Sequence, residues 1–448
     1  MQEYRSGLHI EDYNSGNLNR FEGRIGDPEK NKRDALQEAY MKGECRFYGN
    51  GTPQSYEKAV EYYMIAAVQG HAKAQNSLGY CYDNGLGVPQ DHEVAVEWYI
   101  KSALQGYAKA QYNLGLSYAN GEGLQRSYEL AAQWFEMASA QGYAKAENEL
   151  GQCYEKGLGV EQSYQKAVKL YVMAAKQENP RAQYNLGRCC SFGYGVEKND
   201  EAAVGWYKKA AEKGDAAAQF QLGCCYESGA GVEQSFDNAV RWYEKAASQY
   251  YTPAILHLGY CYFYGSGVVK NIEGAVALYK KAAELGDTEA QRIMGDCCMY
   301  GYGVRQDTVV AVGWYERAAE QGDVAAQITL GYCYENGYGV LKNESTALKW
   351  YSEAACQENP AAENELGRCY MYGVGTAQNA TEGIRWYERA ASHGSVDGQT
   401  NLGYCYETGT GVGRDYEKAM QWYIKAAEQG SDYSAERLKA IAGMARFE

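Results

Sequence analysis

The chain has 448 residues, with 44 tyrosines, 52 glycines, only 6 prolines and a formal net charge of −14. Such acidity argues against nonspecific attraction to nucleic acid or an anionic membrane, and favours a basic or neutral partner surface. No apolar run approaches the roughly 18 residues of a membrane span, and the opening MQEYRSGLHIEDYNSGNLNR lacks the apolar core of a signal peptide, so the expected location is the cytoplasm.

Residues 1–26 read as a polar, Gly/Asn-rich tail, and Asp27-Pro28-Glu29 as a helix start with proline in its first turn. A glycine then recurs at 43, 79, 115, 151, 187, 223, 259, 295, 331, 367 and 403, every step being 36 residues. Fixed self-similarity of this period signals a stacked array in which no unit can bury its apolar face alone.

Within residues 71–106, Ala74, Leu78, Cys81, Tyr82 and Gly85 follow the stripe of an amphipathic helix. A Gly-x-Gly ends this helix in all eleven units, as a left-handed cap and tight turn require. Position 91 and its equivalents (Ser55, Ser127, Ser163, Asn199, Ser235, Asn271, Asp307, Asn343, Asn379 and Asp415) all suit an N-cap, so a second helix begins there. Its buried stripe reads Ala95, Trp98, Tyr99, Ser102 and Ala103, and Gly106 closes it. All eight tryptophans share the Trp98 position, which predicts core packing. Glu178, Tyr250 and Glu358 replace the closing glycine, and altered packing is expected at those three junctions.

The motif A-x-x-x-L-G-x-x-Y-x-x-G-x-G-V, followed by K-A-x-x-W-Y-x-K-A-A-x-x-G, resembles the Sel-one-like repeat, a relative of the tetratricopeptide repeat, over about residues 35–430. The resemblance implies an all-α fold, a right-handed α-solenoid of eleven 36-residue helix-turn-helix repeats. It also implies a noncatalytic scaffold or adaptor that holds a protein or peptide in a concave groove lined by the first helices. The domain reading is a tail over 1–26, the array over 27–430 and a capping helix over 431–448, in which Leu438, Ile441 and Met444 share one face.

Candidate chemistry reduces to framework. Of 14 cysteines, ten (Cys45, Cys81, Cys153, Cys189, Cys225, Cys261, Cys297, Cys333, Cys369 and Cys405) share one repeat position. Neighbouring first helices should lie roughly 10 Å apart, beyond the ~7 Å Cα limit of a disulfide, which predicts reduced, buried thiols. Ser55-x-x-Lys58 and Ser163-x-x-Lys166 match a β-lactam-enzyme motif, but both serines are N-caps. The five histidines show no ligand spacing. The sequence therefore indicates no catalytic residue, no cofactor and no metal. Two alternatives stand beside the scaffold. One is an enzyme-like β-lactam- or peptidoglycan-binding protein, by analogy with a secreted, disulfide-rich branch of the family. The other is a regulatory subunit of a separate enzyme.

Function should sit where the units differ, on the outward face of the first helix at positions 76, 80 and 83–84. The second and fourth units carry Asn76, Tyr80, Asp83, Asn84 and Asn148, Gln152, Glu155, Lys156 there. Later units turn aromatic and basic: Tyr184, Arg188, Phe220, Tyr260, Phe263, Tyr264, Arg292, Tyr300, Tyr332, Arg368 and Tyr372. That composition is typical of interface centres. The expected partner is a protein or peptide of basic character, bound by a monomer, with its hot spot in units five to eight.

Overall fold

The computed structural model describes residues 28–444. The expected tail over 1–26, Asp27 and the side chain of Met444 lie outside the described residues. Among the described residues there are 23 helices and no strand. They form two compact units, one ending at Ala182 and the other starting at Gln183. Within each, a first helix packs on the second helix of its own repeat, which packs in turn on the next first helix, the arrangement of an α-solenoid.

The second repeat shows why the sequence folds this way. Its first helix, Ala72–Asn84, ends at Gly85, whose φ of 66° lies in the left-handed region. Its second helix, His92–Ala103, starts at Asp91, whose carboxylate accepts from the backbone amides of Glu93 and Val94. The side chain caps the second helix in the same way in all eleven repeats. Each such cap contributes about 1 kcal/mol. The second glycine of the loop has a different task. A Cβ on Gly87 would overlap the backbone of Tyr56 in the preceding repeat, so its bare Cα lets successive repeats close up.

The core is built on a ring lying over a glycine. Tyr99, 1 % exposed, covers Gly79, and a Cβ there would stand 2.8 Å from the ring. Tyr243 covers Gly223 in the same way at 2.5 Å. The pairing recurs in all eleven repeats, with Phe135 replacing tyrosine over Gly115. The tyrosine, not the tryptophan before it, is the buried anchor, which corrects the sequence expectation. Trp98 is half-buried, with one edge against the preceding repeat's core and Lys101 4.2 Å from its ring centre. Lys245 sits likewise 3.8 Å from the Trp242 ring. One step around the helix turns the tryptophan out of the hairpin and towards the seam between neighbouring second helices.

Neighbouring repeats are also joined by a polar ladder. Gln75 donates to the carbonyl of Ala67 at 2.9 Å, and its own amide oxygen accepts from Gln105 at 2.7 Å. The Gln–Gln rung recurs as Gln141 to Gln111, Gln249 to Gln219, Gln321 to Gln291 and Gln429 to Gln399. Substitution of one member does not require substitution of the other, since Gln177 donates to Glu147 at 3.0 Å in the fourth repeat. The tenth repeat has the fully buried Glu363, held by His393 at 2.8 Å and Arg389 at 3.1 Å. The seventh repeat has Ile255 and Leu285 at these positions, both apolar. Leaving a buried polar member of such a rung without a partner costs roughly 1–3 kcal/mol, so the substituted rungs described here either stay bonded or become apolar.

The three exceptional junctions keep the common geometry, against expectation. Glu178, Tyr250 and Glu358 take φ of 63°, 60° and 57°, the left-handed conformation that Gly106 holds at 85°. The same amide-to-carbonyl bonds close the helix, from Glu358 N to Ala355 O as from Gly106 N to Ala103 O. At the chain end, the helix Asp432–Met444 lays Leu438 and the buried Ile441 on Ala419 and Tyr423.

These contacts set the expected cost of three substitutions. Tyr243→Ala should cost about 3–5 kcal/mol by cavity formation, and more than Trp242→Ala, whose ring is only half-buried. Gly223→Ala should destabilise by about 1–3 kcal/mol, although alanine is the better helix former; a stabilising Gly223→Ala in urea denaturation would refute the ring-on-glycine packing. Glu358→Gly should stabilise by about 1 kcal/mol, because equivalent glycines such as Gly106 face open space and only backbone strain is relieved.

Candidate functional site

Positions 76, 80, 83 and 84 do not form one outward face. Position 76 turns into the stack: Asn76 is 2 % exposed and Asn148 1 %. Position 83 serves the core, because the buried tyrosine needs a partner for its hydroxyl. Tyr171 donates to Glu155 at 2.6 Å, Tyr243 to Glu227 at 2.5 Å and Tyr423 to Glu407 at 2.8 Å. Asn76, Asp83, Asn148 and Glu155 are therefore packing residues, which corrects their reading as a solvated face. A helix places residues 76 and 83 seven positions apart on one side, and neighbouring first helices cover that side.

The predicted site residues divide accordingly. Tyr184 is half-buried, its ring 6.0 Å from Tyr207, and Arg188 is half-buried beside it. Phe220 packs within 5.7 Å of both Tyr243 and Tyr251 and 5.0 Å from His257. Tyr260 donates to Glu289 at 2.6 Å, and Phe263 packs on the core. Arg292 is paired with Asp296 and Asp323 at 3.3 and 3.9 Å. Only Tyr264, Tyr300, Tyr332 and Tyr372 stand largely open, between 53 % and 69 % exposed.

One hollow of about 560 Å³ in the second compact unit gathers three of the predicted residues, Tyr300, Tyr332 and Arg368, with Glu335, Glu365 and Asp397. It reaches from the eighth to the eleventh repeat, so it lies later in the chain than the expected units five to eight. The other eight predicted residues are not in its lining. Arg368 is clamped between Glu335 at 2.5 Å and Glu365 at 2.8 Å. Burial opposes its charge, but the hydrogen bonds it donates to the two carboxylates raise its pKa above the usual range. Glu335 also accepts from Tyr351 at 3.1 Å, which ties the hollow to the core. Tyr332 stacks on Tyr338 at 5.6 Å, and Tyr300 lies 5.7 Å from Tyr302. Glu335, Glu365 and Asp397 were missed because acids are common along the chain and only the fold brings these three to one hollow. With three carboxylates and one guanidinium, the hollow carries negative charge between tyrosine walls, a surface suited to a cationic side chain.

The remaining motifs are structural. The Ser55 and Ser163 hydroxyls accept from the amides of Lys58 and Lys166 at 3.2 and 3.4 Å, as N-caps do. The cysteines are free, most are buried, and Cys356 is exposed. The structure does bring one histidine to two acids, a cluster that sequence spacing did not reveal: Asp83, His92 and Glu122. Among the described residues no helix is long and apolar enough to cross a membrane.

Hairpins of fixed length, each closed by a ring-on-glycine contact and stacked in series, define a tetratricopeptide-like α-solenoid. The Sel1 repeat model matches eleven consecutive segments, from 39–71 through 396–431, and the chain belongs to the Sel1 repeat family. Among solved structures it is similar to c5321, a protective antigen of uropathogenic Escherichia coli strains with an SLR fold. The two share 33 % identity over 93 % of this chain and 89 % of that one, with a TM-score of 0.66. A Sel1 repeat protein from Oxalobacter formigenes is 31 % identical over 71 % of this chain and 94 % of its own, with a TM-score of 0.55. No curated protein matched the chain.

Thiol chemistry gives a check on the core. Burial raises the thiol pKa to about 12 at Cys81 and Cys369 and to about 11 at Cys153, Cys225, Cys261, Cys297, Cys333 and Cys405. An unfolded thiol titrates near 9.0. Between those values the unfolded chain sheds protons that the folded chain keeps, so stability should fall as pH rises from about 9 to 11. With a thiol reagent at neutral pH, Cys356 should react first in the native protein, and fourteen thiols should titrate in denaturant. A deficit of four or more in denaturant would overturn the reduced state.

Proposed function

We propose that the protein is a noncatalytic scaffold that holds a basic protein or peptide segment along the face of its first helices, with the hollow of repeats eight to eleven as the anchor site. The observation that carries this reading is the juxtaposition of Tyr300 and Tyr332 with Glu335, Glu365 and Asp397 in one hollow. Open tyrosines supply large contact area at low conformational cost. The carboxylates favour a lysine or arginine and disfavour acidic competitors. Arg368, already clamped by two glutamates, fixes the wall and leaves Asp397 to meet an incoming cation. The family membership and the acidic chain as a whole support the same reading. Action as a monomer in the cytoplasm, with no cofactor, belongs to the same proposal.

The test is photo-crosslinked capture from native lysate by the full chain, with peptide mapping of what is bound. Tyr300→Ala with Tyr332→Ala should weaken capture by roughly 30-fold or more per side chain while helicity is unchanged. Tyr264→Ala with Tyr372→Ala, equally exposed but outside the hollow, should leave capture nearly intact. The mapped segment should be rich in lysine or arginine, and capture should weaken with salt. Equal loss in the two double variants, or an acidic bound segment, would move the interface elsewhere.

A further inference from the structure

At the joint between one repeat and the next, three positions meet: 83 on the first helix, 92 at the start of the second helix, and 122 in the Gly-x-Gly loop of the following repeat. At three other joints these positions hold apolar or aromatic groups, while elsewhere position 83 is often a glutamate that serves the core tyrosine. The first repeat has Phe47, Tyr56 and Leu86 there, with Phe47 and Tyr56 rings 5.1 Å apart. The third repeat has Ala119, Tyr128 and Leu158, and the seventh Phe263, Ile272 and Tyr302. Only at the joint of the second and third repeats do the three positions become Asp83, His92 and Glu122 together.

The fold brings their ligand atoms within 4.8 Å of one another. Gly123 makes this approach possible, because a Cβ there would overlap the carbonyl of His92, and its absence lets the loop press Glu122 against the start of the second helix. His92 Nδ1 lies 2.8 Å from Asp83 Oδ1. Each carboxylate is also held from behind. Tyr99 donates to Asp83 Oδ2 at 3.3 Å, and Asn120 donates to Glu122 Oε2 at 3.3 Å. Such outer hydrogen bonds orient metal ligands and hold them in place. A hydrogen bond between His92 and Asp83 would account for two of the three residues. It does not account for the second carboxylate, whose charge repels Asp83 and which a cation between them would stabilise.

We propose that Asp83, His92 and Glu122 bind a first-row divalent cation of the zinc class, which clamps the second repeat to the third. One imidazole nitrogen with two carboxylate oxygens suits zinc, and the imidazole disfavours calcium and magnesium. Drawing three ligands to zinc distances of about 2.0–2.2 Å needs a side-chain adjustment of Glu122, whose exposure leaves room for it. The ion takes the place of the proton shared by His92 and Asp83. His92 and Asp83 are 37 % and 26 % exposed, which leaves room for water at the remaining coordination positions.

The test is calorimetric titration of the untagged full chain with zinc chloride, in a Cys356→Ser background that removes the exposed thiol. Cobalt(II) absorption reports the ligand type. The expected result is one ion per chain, a cobalt spectrum without thiolate charge transfer, and a melting temperature raised by zinc. The combined variant Asp83→Ala, His92→Tyr and Glu122→Leu installs the residues of the next joint, Ala119, Tyr128 and Leu158, so it should fold. It should lose binding and the thermal shift together. Tyr99→Phe, which imitates Phe135 of the third repeat, should weaken binding about tenfold or more while the core stays packed. Zinc binding by the triple variant equal to that of the parent, a thiolate band with cobalt, or no binding by the parent would each overturn the proposal.

Discussion

The contact on which the rest of this structure depends is an aromatic ring lying directly on a helix backbone. At Gly79, Gly223 and their equivalents the first helix has no side chain, so the ring of Tyr99 or Tyr243 can settle against it. A glycine in mid-helix sacrifices about 1 kcal/mol of helix propensity, and a buried tyrosine recovers several times that amount. The ring also brings a hydroxyl into the core, and that hydroxyl must be satisfied. Hence Glu155, Glu227 and Glu407 sit where a surface acid would otherwise stand. One steric fact thus fixes the hairpin spacing, its anchor and the acid beside it.

Stacking of one hairpin on the next has its own two devices. The second loop glycine removes a side chain where backbones of successive repeats approach, and the Gln75–Gln105 rung satisfies the polar groups trapped between them. Both are local to one interface, so each interface can drift on its own provided that its buried polar groups stay partnered. The Glu363–His393 rung and the Ile255 and Leu285 positions are outcomes of that freedom. The same modularity allows function to be placed on individual repeats. The hollow around Arg368 and the joint at His92 lie in different compact units, and neither disturbs the ring-on-glycine core.

What the sequence determined by itself was whatever repeats. Glycines at 36-residue steps, eleven N-cap residues and paired Gly-x-Gly turns encode local backbone geometry, which depends on residues only a few positions apart. Repeat number, helix boundaries and family were therefore legible, as was the burial of Leu78 and most of the aligned cysteines. Burial within a stripe was legible only to within one helical step, and that is why Trp98, read as buried beside Tyr99, is only half-buried. Tertiary structure decided which variable residues face solvent, because position 76 meets a neighbouring helix that its own sequence does not describe. It also decided which of many acids converge. Glu335, Glu365 and Asp397 come from three repeats, and Glu122 reaches His92 from the next one. A side chain's environment across a repeat boundary depends on the rise and rotation of the stack, and those quantities arise only when hairpins pack against one another.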